Sequence, residues 1–192
     1  MSHTDIEIAS KALVRIGARP ISDFESNSTE SAVAGDIYYE VLDGYLTERN
    51  WPFANGQIDL GAVLEAEPVA NWSYAFQLPT NPPVLAIRRI TRSGVDIIYE
   101  RHEDKIYTEE DADLQMDYTF RPVAGNFPAY FVEALINRLG TSFAIAIPRN
   151  LELANAMNTI EEHRTANGGA VASQEHTTKR IHATRLTGRR RS

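Results

Sequence analysis

Two groups of ionised side chains stand out by type and spacing. Between Glu100 and Asp117 lie eight carboxylates (Glu100, Glu103, Asp104, Glu109, Glu110, Asp111, Asp113 and Asp117) against two cations, Arg101 and Lys105. After Glu175, the last acidic residue, come six fixed positive charges: Lys179, Arg180, Arg185, Arg189, Arg190 and Arg191. Clustered carboxylates can hold a hard cation, repel a polyanion, or solvate the face of a hairpin. Guanidinium forks pair with carboxylates or phosphates. Asp111-Ala112-Asp113 has the opening of a calcium loop, but the glycine at loop position six and the closing glutamate are missing. The acidic run therefore reads as a solvated hairpin face.

Catalytic constellations are not found. The five histidines (His3, His102, His163, His176 and His182) form no His-Glu-x-x-His, and no two stand four residues apart. No nucleophile elbow, phosphate loop or dinucleotide fingerprint occurs. Glu161 and Glu162 are neighbours, so on a helix they point apart and make no acid–base pair. With no cysteine, disulfides, thiolate catalysis, zinc fingers and iron–sulfur clusters are excluded. The expectation is a protein that is not an enzyme and holds no cofactor or metal.

The 192 residues carry a formal charge of −7, with 43% hydrophobic and 23% charged side chains. That balance belongs to soluble globular proteins and argues against a disordered, collagen-like or membrane-spanning chain. The opening Thr4-Asp5-Ile6-Glu7 is acidic where a signal peptide is basic, so none is expected. Charge is divided unevenly. Positions 1–178 hold 13 basic against 26 acidic residues, a net of −13, and the basic end follows. In residues 176–192 only Ile181 and Leu186 are large and apolar, too few for a core, so this tail is either a solvated terminus or a segment that orders on a partner, an acidic surface or nucleic acid.

These charges must be positioned by elements of two kinds. Thr4 and Glu7 form a capping box, and Ala9, Ala12, Leu13 and Ile16 follow at helical spacing up to Gly17. A second helix is expected from Asn27 or Thr29, with Glu30 reaching back to Asn27. It carries Ala34, Tyr38, Val41, Leu42 and Tyr45 and stops before Pro52. The period then becomes two: Tyr74-Phe76-Leu78, Leu85-Ile87-Ile90, Val95-Ile97-Tyr99 and Leu114-Met116-Tyr118-Phe120. Short turns between such strands imply antiparallel pairing. Helical spacing returns with Pro128 in a first turn and Phe131, Leu135, Leu139 and Phe143 following. Asn150 caps a last helix carrying Leu153, Met157 and Ile160, which Gly168-Gly169 breaks or kinks. The expected fold class is α+β. A helical bundle from both chain ends (1–56 plus 123–175) carries an inserted antiparallel sheet (57–122) and an extended tail (176–192). Trp51 and Phe53 read as an aromatic plug joining the bundle to the sheet, and Trp72, Tyr74 and Phe76 as core on one strand face.

Several segments in order resemble one family. Ala12-Leu13, Ile16-Gly17 and Pro20-Ile21 precede a helix with Tyr39 and Leu46. Asn50-Trp51-Pro52-Phe53-Ala54 follows, then Trp72-Ser73-Tyr74-Ala75-Phe76-Gln77-Leu78-Pro79, then Phe131 to Ala146 and the terminal helix. Over roughly positions 8–175 the chain resembles the head-to-tail adaptor family of tailed, short-tailed bacteriophages, the tail tubular protein A or tail accessory factor. The sequence departs from the family's pattern at Asn81-Pro82-Pro83 and at Gly168-Gly169.

The resemblance implies a structural virion protein, assembled in the host cytoplasm and placed at the head–tail junction. Such proteins form a dodecameric ring beneath the portal protein, extend the channel through which double-stranded DNA passes unheld, and offer a platform for the tail nozzle or other tail proteins. The tail is then expected to dock on the portal, with Ile181 and Leu186 as apolar anchors and the six cations supplying electrostatics. Acids from Glu100, Glu103, Asp104, Glu109, Glu110, Asp111 and Asp113 are expected to face the channel. The alternative is a DNA-binding accessory protein acting through the Arg-rich tail. A cell-wall hydrolase is a weaker third reading, since no carboxylate pair for it is visible.

Overall fold

The computed structural model describes residues 3–65, 72–148 and 150–174, the last twelve as helix backbone. Within them helices and antiparallel strands are mixed, an α+β arrangement.

Helix α1 (Asp5–Arg15) starts in the expected capping box: the Thr4 hydroxyl accepts from Glu7 N–H and the Glu7 carboxylate from Thr4 N–H. It ends in a Schellman turn. Gly17, at φ +79°, donates to the Val14 carbonyl, and Ala18 donates to that of Leu13. Helix α2 (Thr29–Glu48) is capped by Ser28, whose hydroxyl accepts from Ser31 N–H at 3.1 Å. This replaces the expected pair of Asn27 and Glu30: Ser28 already holds the extended backbone that a cap requires, and its short side chain reaches the orphan N–H.

Helix α3 (Ala129–Ala146) has Pro128 at its cap rather than in its first turn, and buries Phe131, Leu135, Leu139 and Phe143 completely. Asn150 Oδ1 accepts from Leu153 N–H at 3.0 Å and caps α4 (Leu151–Gln174). Two expectations for α4 are corrected. Met157 is buried and Leu153 packs against the helical core as expected, but Ala154 and Glu161 complete the inward row and leave Ile160 44% exposed. The helix is also not broken at Gly168-Gly169, because glycine costs helix propensity, about 1 kcal/mol, without removing a backbone donor. Gly140 is where α3 and α4 meet closely: a Cβ there would lie 2.5 Å from Met157 Cε.

Among the described residues seven strands form two small sheets: β1 (Asn55–Asp59), β2 (Tyr74–Gln77), β3 (Ala86–Arg92), β4 (Val95–Asp96), β5 (Tyr99–His102), β6 (Lys105–Thr108) and β7 (Leu114–Thr119). The orders are β1-β7-β3-β4 and β2-β6-β5, every pairing antiparallel. The run Val95-Ile97-Tyr99 is not one strand. The chain leaves the first sheet after Asp96 and enters the second at Tyr99. Val95 is exposed as a result.

Among the described residues most of the buried apolar side chains gather in two clusters. One collects residues of α1, α2 and α3, Trp51, Ala54 and Ala154; the other collects Leu60, Phe76, Leu78, Ile90, Ile106, Leu114, Met116 and Tyr118 from both sheets. Trp51 lies in the first cluster, edge-on to Tyr45 and Phe131, with its Nε1–H donating to the Tyr45 carbonyl at 3.0 Å. Phe53 packs on Phe131 at 4.8 Å between ring centroids. The 3-10 turn Pro52–Ala54 then delivers the chain into β1, and Phe120 N–H donates to the Ala54 carbonyl. Among the described residues no helix is long and apolar enough to cross a membrane.

Candidate functional site

The acidic run is distributed over the β5–β6 hairpin and the segment leading into β7. Glu103 occupies the hairpin turn at φ +55°, and Asp113 precedes β7 at φ +57°. Both conformations suit short turns, and both side chains are exposed. Asp104 accepts from Gln77 Nε2 at 2.9 Å, and that bond holds its carboxyl below the ordinary range.

Glu100 has a different environment. Its Oε2 accepts from Trp72 Nε1 at 2.8 Å and lies 3.2 Å from His102 Nε2. The indole hydrogen bond first, and the histidine second, lower the Glu100 pKa. Trp72 thus stands before β2, outside the sheet core in which it was expected. The physical reason is its N–H: at the sheet's margin the indole donates to a carboxylate, which a buried strand face would not supply. Tyr74 packs at the edge of the sheet cluster and Phe76 lies within it.

The remaining acids meet near the end of the first sheet. Arg92 pairs with Glu110 and, through Nη2 at 2.9 Å, with Asp111. The two carboxylates raise the Arg92 pKa, Glu110 through its hydrogen bond most of all. Glu109 accepts from Ser73 Oγ at 2.5 Å. Asp117 is engaged elsewhere, by Arg89 at 2.9 Å and Gln57 Nε2 at 2.7 Å. Glu109, Glu110, Asp96 and Arg92 rim a hollow of about 530 Å³ whose apolar lining is Trp72, Val95, Ile97 and Ile98. Ile98 is 81% exposed and Val95 68%.

The structure therefore brings Glu100, Glu109, Glu110 and Asp111 together around Trp72 and Arg92, and leaves Glu103 and Asp104 at the β5–β6 turn and Asp113 ahead of β7. Val95, Ile98 and Arg92 were not identified from the sequence as part of this surface. The one available signal was two apolar residues bracketing Asp96 beside the Ser93-Gly94 turn. The docking tail (Lys179, Arg180, Ile181, Arg185, Leu186, Arg189, Arg190 and Arg191) lies outside the described residues. Among the described residues no cluster of three or more His, Asp or Glu is disposed to hold a metal ion. Glu161 packs inward 3.9 Å from Arg138, while Glu162 accepts from Asn158 at 3.0 Å, so the adjacent pair does diverge.

No protein-family model matches the chain, and no curated protein matches it in sequence.

Proposed function

We propose that the chain is a ring-forming head-to-tail adaptor of a tailed phage, attached beneath the portal, extending the DNA channel and carrying tail components. The observation behind this reading is the ordered pair of aromatic–proline segments, Trp51-Pro52-Phe53-Ala54 and Trp72 to Pro79. The finer organisation belongs to the same reading: a helical body of residues 1–56 and 123–175, a β insertion of 57–122, and a portal-docking tail of 176–192. Ring formation supplies buried area through a heterologous interface that closes on itself. DNA must pass such a channel without being held, and a net of −13 over positions 1–178 favours that. The exposed acids of the sheets are the candidates for the lumen.

The Arg-rich tail also supports a second reading, binding to DNA phosphates. Sedimentation of the full chain with its cognate portal, or with duplex DNA, across a salt series separates the two. An adaptor co-sediments with the portal. A phosphate binder sediments with DNA and is released steeply as salt rises.

A further inference from the structure

We propose that residues 176–192 of this chain dock, before any partner is met, on the chain's own acid-rimmed hollow of Trp72, Val95 and Ile98. This contact does not rest on the adaptor reading, since it follows from charge, apolar exposure and reach. The hollow sits amid Asp96, Glu100, Glu109, Glu110 and Asp111, five carboxylates against two guanidiniums, Arg92 and the Arg89 that lies 3.7 Å from Asp96. The segment brings six fixed positive charges and no acid, with Ile181 and Leu186 between them. Opposite charge at this density steers an encounter and selects the partner, but exposed pairs are individually weak. The apolar component fixes the location: Ile98 and Val95 are among the most exposed large apolar side chains described, beside an indole already held at the rim. Two apolar anchors on the segment meet an apolar floor that nothing else in the described chain covers.

The length of the segment is compatible with this contact. Met157 lies against Gly140 and Glu161 lies near Arg138, so α4 runs antiparallel to α3, toward the end at which Phe127 and Phe53 adjoin the sheets. A segment of 17 residues spans up to roughly 60 Å when extended, whereas the seven residues of β3 that separate the near and far ends of the first sheet cover roughly 23 Å. A portal or other acidic surface would then compete for the same cations.

The absence of native cysteine makes the test direct. Thr187→Cys in the full chain is labelled with a nitroxide, which quenches tryptophan on contact, and emission is followed with salt. Trp51 is buried in the helical core and supplies a shielded background. We expect Trp72 emission to fall about twofold at low salt and to recover by about 0.5 M, where the screening length is only a few ångströms. The change should be independent of protein dilution, be absent with Trp72→Phe, and shrink with Ile98→Ser or with Asp96→Asn/Glu109→Gln, which leaves the Arg92 pairs intact. Quenching that persists with Trp72→Phe, ignores these substitutions, disappears on dilution or never occurs overturns the contact. None of those results bears on co-sedimentation with the portal.

Discussion

Arg88 Nη2 lies 2.7 Å from the main-chain carbonyl oxygen of Arg49, across the seam between the sheets and the end of α2. The same nitrogen donates to the carbonyls of Leu46 at 3.2 Å and Thr47 at 3.1 Å, and Nε donates to Thr119 Oγ1 at 2.7 Å. Helix α2 has no basic residue in its last turn, so its orphan carbonyls and negative dipole end are served from another element. A register shift between Ile87 and Arg89 frees Arg88 from the ladder and turns it toward the helix. Desolvation lowers its pKa, in keeping with a guanidinium satisfied by carbonyls.

Arg88→Ala should therefore destabilise the chain by about 1–2 kcal/mol, since part-buried carbonyls lose a charged donor while the Arg49 carbonyl stays open to water. Arg88→Lys should recover only part, because one ammonium cannot reproduce the fork. Denaturant unfolding of the three proteins checks the order; equal stability of wild type and Arg88→Ala would remove the seam contact from the account.

Gly56 pairs with Tyr118 across β1 and β7, and a Cβ at Gly56 would lie 2.7 Å from Tyr118 Cζ. Since Tyr118 is buried in the sheet cluster, its ring cannot simply swing away. Gly56→Ala should cost about 1–3 kcal/mol. In a double-mutant cycle with Tyr118→Ala, measured by thermal unfolding, most of that cost should disappear.

Tyr38 is fully buried, and its hydroxyl donates to Asp5 Oδ1 at 2.9 Å. Burial first, and the Asp5 charge second, push the phenol well above its ordinary range. The folded chain thus keeps a proton that the unfolded chain gives up near pH ~10. Its contribution is complete below that pH and declines above it, as the unfolded state ionises. Tyr38→Phe should lose about 0.5–1.5 kcal/mol at neutral pH and show a shallower fall in unfolding midpoint above pH ~10.

Glu100 offers a test without any unfolding. Trp72→Phe removes the largest cause of its lowered pKa, so the Glu100 carboxyl should titrate at higher pH in that variant, read by carboxyl-carbon NMR. An unchanged titration would mean that the indole bond is not formed in solution.

Much of the helical part was legible. The capping box at Thr4 and the spacing-four row from Phe131 to Phe143 state their own periodicity, and both are present. The strands were harder for a physical reason. β1, Asn55–Asp59, is polar, contains glycine and pairs on one side only, so it lacks alternation. β6, Lys105–Thr108, is buried on consecutive positions and lacks it for the opposite reason. Alternation also ran past the true strand end to include Trp72. For the candidate site, the acids were visible as a run, but their partners Arg92, Ser73 and Trp72 stand 18 to 36 residues away on other segments. Only the sheet topology brings them together.

The adaptor reading is tested most directly by electron microscopy of the full chain mixed with its cognate portal, alongside a chain ending at residue 175. The account predicts a ring of twelve copies beneath the portal with an open axial channel, the acids of the sheets toward the lumen, and no attachment of the shortened chain. A chain that stays unassembled with the portal, or a ring whose channel is lined by Lys and Arg, would contradict it.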